Sequence, residues 1–348
     1  MNSNEEKIIV LKNDAVGDLT HSLKSINNIT NSYKDKNIEV YLSERSEKFN
    51  FLINNENSNI NFKRINYNLS LIDKIKLLTY LLKNKISKIY ILTPKSFFFY
   101  LPFFFRKIKF YALCINGPNN YKRPSKFLRK YLFKYVINDR GAIYKRDHTT
   151  KLQSKLTKER NDVSINDINI KIKTSDFLNK NLPNNYAYFH LKKSIIDKLN
   201  WNFEDLIRLF NFFLEKYDHV VFTRDIEKLN KKDFLKEKFQ TFDFRNKKVL
   251  NQNLSTKILL YDNIEGEDLY ETINNSSKVI AFHGMMTNLA SINKNKTVDM
   301  WFCDMKNYND YRNYRNAFYE FKPKYIGYNF IIPSKNIGKT IKKLSKFI

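Results

Sequence analysis

KIIVLKNDAVGDLTH, residues 7–21, passes from an apolar run through a polar loop into a stretch of helical character. Lys7 to Leu11 is short and nearly all branched aliphatic, which reads as a buried strand. The loop Lys12 to Asp18 follows, and the pattern then predicts a helix from about Leu19 to Tyr33. The same alternation recurs: IEVYL (38–42), KIYIL (88–92) and KFYAL (109–113) read as three more strands. The stretch between the last two is of helical length but carries Pro102 inside it. Strands alternating with helical segments predict βαβ units around a parallel sheet.

The polar segment LNKNLPNN (178–185), with Pro183 in it, separates this region from a second one with the same grammar and reads as an interdomain linker. YAYFH (186–190), HVVFT (219–223), KVIAF (278–282) and TVDMWF (297–302) read as strands. FEDLIRLFNFFLEK (203–216), Glu267 to Asn274 and a stretch from about Thr287 read as helices, and Ile337 to Ile348 as a basic amphipathic helix. The organisation expected is an N-terminal domain over 1–180, a C-terminal domain over 186–325 and a helical tail over 326–348.

A chain of 348 residues suits two domains. With 42% hydrophobic and 15% aromatic residues it is not a disordered chain, and seven Gly exclude collagenous and linker-rich classes. Two Cys, Cys114 and Cys303, exclude a disulfide framework and point to a reducing, cytoplasmic compartment. The N-terminal segment lacks the apolar stretch of a signal peptide. The aromatic run Phe97 to Phe105 is far short of the ~20 residues a membrane-spanning helix needs. It reads equally well as a core segment or as a membrane-docking one, so a soluble or peripheral protein is expected.

The net charge of +27 attracts polyanions: nucleic acid, anionic lipid or a phosphorylated substrate. Lys outnumbers Arg and is scattered along the chain, which disfavours nucleic acid as partner and leaves an anionic membrane surface and a diphosphate. Codon bias toward Lys, Asn, Ile, Phe and Tyr accounts for part of the excess.

Ligands of parallel α/β domains bind where strand hands over to helix at the strands' carboxyl ends. Three such turns are offered: Lys12 to Asp18, His190 to Lys198, and Phe282 to Asn288. In the first, Gly17 permits close approach of a ligand. Asp18 is either a helix cap or a general base, and local physics alone favours the cap. In the third, His283 and Gly284 precede a helix whose first amides form an anion site, with Thr287 as its cap and Met285 and Met286 as packing residues. In the middle turn Lys192, Lys193 and Lys198 are each able to neutralise a diphosphate. The chain has no G-x-x-x-x-G-K-[ST], G-x-G-x-x-G or G-x-S-x-G pattern, and its five His lack H-x-x-x-H spacing. P-loop, standard dinucleotide, α/β-hydrolase and zincin chemistries are therefore set aside, and no metal or cofactor site is expected.

VLKNDAVGDLTHSLKSI (10–26) resembles the opening of the heptosyltransferase-like glycosyltransferases, glycosyltransferase family 9. KVIAFHGMMTNLASINKNKTVDMWF (278–302) resembles that family's later turn. YAYFHLKKSIIDKLNW (186–201) resembles its second-domain opening, and HVVFTRDIEKL (219–229) the segment after it. The resemblance implies a GT-B fold: two Rossmann-like domains with parallel sheets facing across a cleft, the acceptor mainly on the first and a nucleotide sugar on the second, with no metal. It places the catalytic base on Asp18 and a basic residue on Lys12. The phosphate-contacting lysine falls on Lys198 or Lys192, and the ribose-contacting acid on Glu227 or Asp225. The diphosphate loop falls on His283, Gly284, Met285, Met286, Thr287 and Asn288. Asn288 stands where many members carry His, and Phe282-His283 where an Asp-Thr pair is common. The activity implied is transfer of heptose or a related sugar from a nucleotide-diphosphate sugar to lipopolysaccharide or another surface glycan, on the inner face of the cytoplasmic membrane. The alternatives are a non-catalytic protein of the same fold that binds a nucleotide sugar or a glycan, and, further behind, a nucleic-acid-binding protein.

Overall fold

The computed structural model describes residues 6–53, 59–116, 124–139, 147–157, 170–225, 238–302 and 308–348, with backbone only over 308–313. Glu227 and Cys303 lie outside the described residues. The chain divides into two compact units: Met1–Lys171 with Met305–Lys322, and Ile172–Asp304 with Pro323–Ile348. Each is a helix-flanked, mainly parallel sheet, so the α/β class and the Rossmann-like halves expected from sequence are what the chain forms.

Unit 1 holds β1 (Lys7–Lys12), β2 (Asn37–Leu42), β3 (Ile60–Arg64), β4 (Ile86–Ile91), β5 (Lys109–Asn116) and β6 (Lys134–Asp139). They pair in the order β3-β2-β1-β4-β5-β6, every pair parallel. The chain therefore leaves β1 in one direction and returns to β1's other side with β4, which makes β1/β4 the topological switch point. Ile8, Ile9, Val10 and Leu11 are all buried because helices cover both sheet faces, so this strand reads as continuous apolar sequence rather than alternation. The expected helix over 19–33 is two helices, α1 (Val16–Thr20) and α2 (Leu23–Ser32), interrupted at His21 and Ser22, where the Ser22 hydroxyl bonds the Asp18 carbonyl. A third helix, α3 (Leu71–Lys83), starts in a capping box in which Ser70 and Asp73 satisfy each other's backbone amides. The aromatic run is a 3-10 turn (Ser96–Phe99) followed by the short α4 (Leu101–Phe104), with Pro102 at its start, where a proline costs no hydrogen bond. Short α5 (Lys126–Arg129) and α6 (Thr149–Thr157) complete the described part before the chain crosses to unit 2.

Unit 2 begins earlier than Pro183. The first half of the expected linker is the end of α7 (Asp176–Asn181), anchored by Leu178, which has no exposure, and by the Tyr261 hydroxyl donating to the Asn181 carbonyl. Its strands are β7 (Tyr186–Leu191), β8 (His219–Arg224), β9 (Gln240–Asp243), β10 (Lys248–Leu250), β11 (Ile258–Asp262), β12 (Lys278–Phe282), β13 (Thr297–Met300) and β14 (Tyr328–Ile331). The order is β10-β9-β11-β8-β7-β12-β13-β14, parallel except for the β9/β10 edge pair, and its switch point is β7/β12. Helices α8 (Lys193–Leu199), α9 (Phe203–Leu214), α10 (Gly266–Asn274) and α11 (Met285–Ile292) pack around it.

The C-terminal boundaries also differ from expectation. Helix α12 (Tyr308–Phe321) belongs to unit 1, where its buried Glu320 accepts a 2.8 Å bond from Asn138 and a further one from Thr149. The expected tail is part of unit 2: β14 extends the sheet, and α13 (Ile337–Leu344) buries Ile337 and Leu344 in the same core as Phe210 and Val298. An amphipathic helix with basic residues at its end is here a packed helix with a solvated outer face.

Candidate functional site

At the switch point of unit 1, β1 delivers Lys12 into the interior with 2% exposure. Its ammonium bonds Asp14 at 2.9 Å, and the Ser43 hydroxyl holds the Asp14 carbonyl at 2.7 Å. A cation this deeply buried needs a partner, and Asp14 is one the sequence reading passed over. Replacing Lys12 with Met is expected to cost about 2 kcal/mol, below the usual range for a broken buried pair because Asp14 keeps some solvent. The check is the urea midpoint; adding Asp14→Asn recovers most of the loss.

Asp18 is not a helix cap. Ala15 occupies the N-cap of α1, Asp18 stands in the first turn, and its exposed side chain lines a polar cavity of about 320 Å³. Gly17 has ordinary helical backbone, so no positive φ requires glycine there. The cavity's other walls come from the ends of β4, β5 and β6 and from α6: Thr93, Lys95, Asn138 and Gln153. Thr93 Oγ1 and Gln153 Oε1 are buried without a protein partner among the described residues. The Lys95 ammonium lies 4.2 Å over the Tyr67 ring and donates to the Tyr67 carbonyl. The result is a carboxylate beside hydroxyl, amide and ammonium groups in a pocket large enough for a small polar ligand.

At the switch point of unit 2, β12 ends at Phe282 and the chain turns through His283 and Gly284 into α11. Gly284 is the N-cap with φ +154°, a conformation that favours glycine. The expected cap, Thr287, is instead the third helical residue, and its hydroxyl closes the turn by bonding the Gly284 amide (3.2 Å) and carbonyl (3.1 Å). Met286 is buried, as a packing residue should be, and Met285 less so. Asn288 is buried and its amide donates to the Gly284 carbonyl. The first amides of α11 lie beyond the reach of intrahelical bonding and form an anion-binding end.

Two lysines of the neighbouring turn now separate. A methyl group on Gly284 would come 3.9 Å from Lys192 Nζ, so the Lys192 ammonium lies over the His283–Gly284 turn. Lys198 is exposed on the last turn of α8. Behind them, His190 bonds Thr223 Oγ1 at 2.8 Å through Nδ1 and Asp225 at 3.2 Å through Nε2.

His283 is held by a group that sequence reading did not single out. Its Nδ1 bonds Asp299 Oδ2 at 2.7 Å, and its ring stacks on Trp301 with centroids 3.5 Å apart. The same oxygen accepts from Trp301 Nε1 (2.9 Å) and the Tyr328 hydroxyl (2.8 Å). Burial first, and the adjoining Asp299 next, push the Tyr328 phenol far above its ordinary value, so it remains a donor. Asp299 has no exposure at all. The available signal was TVDMW itself, an acid inside an apolar strand, which has to be partnered.

Among the described residues no three His, Cys, Asp or Glu side chains converge as a metal site, and no helix is long and apolar enough to cross a membrane. No protein-family model matches the chain, and neither does any curated protein. Solved structures do. The chain is similar to a glycosyl transferase of family 9 from Veillonella parvula (TM-score 0.64, 13% identity, 100% of this chain and 93% of that one). It is equally similar to the E. coli ADP-heptose LPS heptosyltransferase II (TM-score 0.64, 10% identity, 98% of both). An E. coli heptosyltransferase solved with ADP-2-deoxy-2-fluoro heptose follows (TM-score 0.58, 9% identity, 98% of both). At such identities the likeness establishes the fold, the GT-B class that the sequence resemblance implied.

Proposed function

We propose that this protein is a glycosyltransferase that moves a sugar, heptose or a related one, from a nucleotide-diphosphate sugar to a hydroxyl of a surface glycan or glycolipid such as lipopolysaccharide. The observation that carries the reading is the pairing of two dissimilar sites at equivalent places in the two units. Unit 1 offers a carboxylate in a polar cavity, suited to an acceptor; unit 2 offers a lysine and helix amides, suited to a diphosphate. The fold neighbours that act on ADP-heptose support the donor class.

In this reaction Asp18 takes the proton of the acceptor hydroxyl as its oxygen bonds to the anomeric carbon. The bond from that carbon to the diphosphate oxygen breaks in the same step. The charge gathering on the departing diphosphate is met by Lys192 and the first amides of α11, beyond a turn whose His283 ring Asp299 holds in place. These groups take the part a metal plays in other transferases, so the proposed reaction is metal-independent. Asp225 is the described candidate for the ribose. The location that fits is cytoplasmic, at the inner face of the membrane.

A thermal-shift screen of nucleotide diphosphates tests the donor site, since a ligand at ~100 times its Kd adds about 2.7 kcal/mol. With the best ligand, Lys192→Ala is expected to raise Kd by roughly 10–100-fold, the worth of a hydrogen bond to a charged group. Lys198→Ala is expected to change it less than about threefold, as for an exposed charge. No shift with any nucleotide diphosphate, or the reverse ranking of the two lysines, defeats the assignment. Binding without sugar transfer to any acceptor favours the non-catalytic alternative.

A further inference from the structure

The lysines are scattered along the chain, but the acids are not. From Lys74 to Asn138 there are fifteen Lys and Arg and no Asp or Glu, so more than half of the net charge of +27 sits in under a fifth of the sequence. The same stretch exposes apolar side chains. Eight of the fifteen exposed large hydrophobic residues among the described ones lie in it, and Leu71 and Ile72 stand just before it. Either property alone is ordinary; uncompensated charge and exposed large hydrophobics in one stretch are not.

The fold brings the helical segments of this stretch onto one face. Leu77 and Leu81 of α3, Phe98, Phe99 and Leu101 of the aromatic segment, and Leu132 share a core with Ile9, Leu11, Ile89, Ile91, Phe110 and Ala112, which all project from the same side of the unit 1 sheet. Right-handed crossovers from β3 to β4, β4 to β5 and β5 to β6 require this, since all three advance in the same direction. Helix α3 is apolar twice over: Leu77 and Leu81 face the sheet, while Leu71, Ile75 and Leu82, at spacings i, i+4 and i+11, form an outer stripe exposed 71%, 53% and 76%. Beside it Phe104 (67%) and Phe127 (54%) stand out from α4 and α5. The Phe103, Phe127 and Tyr131 rings pack together, with the Arg106 guanidinium over Phe103 and Tyr131. Asp73, the acid at the head of α3, is engaged by Ser70 and Asn66.

We propose that this face of unit 1 is a docking surface for an anionic lipid membrane, with α3, α4 and α5 lying at the headgroup boundary. Aliphatic and aromatic side chains flanked by uncompensated Lys and Arg are what an interfacial element needs: the first enter the acyl edge and the second meet the phosphates. The aliphatic stripe of α3 has no use against nucleic acid, where bases reward stacking rather than Leu and Ile. A second copy of the chain would bring the same positive charge against this face. The aromatic run thus divides its residues, Phe98 and Phe99 to the core and Tyr100 and Phe104 to the outside. The residues just before it, Pro94 to Ser96, wall the cavity that Asp18 lines, so one short segment links that cavity to the docking face. The proposal does not depend on the transfer reaction, and its test uses no nucleotide or sugar.

The experiment is flotation of the full-length protein with vesicles of phosphatidylcholine alone or of phosphatidylcholine and phosphatidylglycerol in equal parts. The wild type is expected to float with the anionic vesicles, to stay behind with the neutral ones, and to be released as salt rises. The combined variant Leu71→Ser, Ile75→Ser, Leu82→Ser is expected to lose flotation while keeping its thermal midpoint, since all three side chains are exposed. Arg106→Gln with Lys107→Gln is expected to weaken partition about fivefold per charge removed, and this pair remains a test should the triple variant not fold. Leu250→Ser with Leu254→Ser, on unit 2, serves as the unaffected control. Absence of flotation with anionic vesicles overturns the proposal, as does flotation of the triple and charge variants equal to that of the wild type. Tighter binding to duplex DNA than to the vesicles, or a dimer that the triple variant abolishes, likewise overturns it.

Discussion

Asp18→Asn is expected to lower turnover by roughly 10²–10⁴-fold, the usual contribution of a positioned general base, while nucleotide diphosphate affinity stays within about twofold. That loss corresponds to ~3–5 kcal/mol of barrier. Two structural facts separate Asp18 from the other carboxylate of the loop. Asp14 is committed to Lys12 at 2.9 Å, so using it as a base would unpair a buried cation. Asp18 is exposed in the first turn of α1, lines the polar cavity, and is not the cap of its helix. The amide of Asn matches the carboxylate in shape but accepts no proton, so the variant tests proton transfer rather than packing. The assay is release of nucleotide diphosphate from the donor found by thermal shift, in the presence of acceptor. Turnover at the wild-type rate would remove Asp18 from the mechanism. A loss shared equally between turnover and nucleotide affinity would make it a structural residue.

The elements legible in the sequence were those whose burial is two-sided. β1, β7, β8 and β12 are buried on both faces and announce themselves as short, mainly apolar runs; β2 does so with one buried acid, Glu39, inside it. β3, INFKR, sits at the sheet edge with a half-exposed pattern, and β10 is three residues long; neither carries such a run. α3 was hidden by its second apolar face, which blurs the single stripe that marks an amphipathic helix. Unit 2 starts ahead of the expected linker: Pro183 and its polar neighbours look like one, whereas α7 before them is tied to unit 2 by the burial of Leu178 and by the Tyr261 hydroxyl bonding the Asn181 carbonyl, 80 positions apart. The return of 308–321 to unit 1 rests on a contact between Glu320 and Asn138, 182 positions apart, which no local pattern reveals.

At the sites the division is similar. Asp18 and the 283–288 turn were legible because strand-to-helix handovers in a parallel sheet mark themselves. Choosing between Lys192 and Lys198 required knowing that α8 starts at Lys193, which carries Lys198 to the far end of that helix. Asp225 was named only as an alternative ribose contact, and the structure adds its bond to His190.

Asp299→Leu is expected to cost about 4 kcal/mol of stability, and Asp299→Asn about 1–2 kcal/mol, read from urea or thermal unfolding. Oδ2 of Asp299 accepts from His283, Trp301 and Tyr328, groups on three separate segments, all within 2.9 Å. Leucine leaves His283 and Tyr328 without this acceptor and Trp301 with only the Tyr328 hydroxyl at 3.1 Å, and an unsatisfied buried donor costs ~1–3 kcal/mol; the losses do not add fully because Trp301 keeps that bond and His283 regains some water. Asparagine keeps one acceptor oxygen for the three donors but loses the charge and buries its amide where Oδ1 has no partner among the described residues, hence a penalty that is smaller but not zero. The two variants also separate fold from site. In the folded Asn variant the His283 ring is held by a weaker bond, so nucleotide diphosphate affinity is expected to fall by less than about tenfold, the worth of one neutral hydrogen bond. Stability equal to the wild type in the Leu variant would mean that the three donors find other partners, and Asp299 would no longer be what fixes His283 at the mouth of the α11 turn.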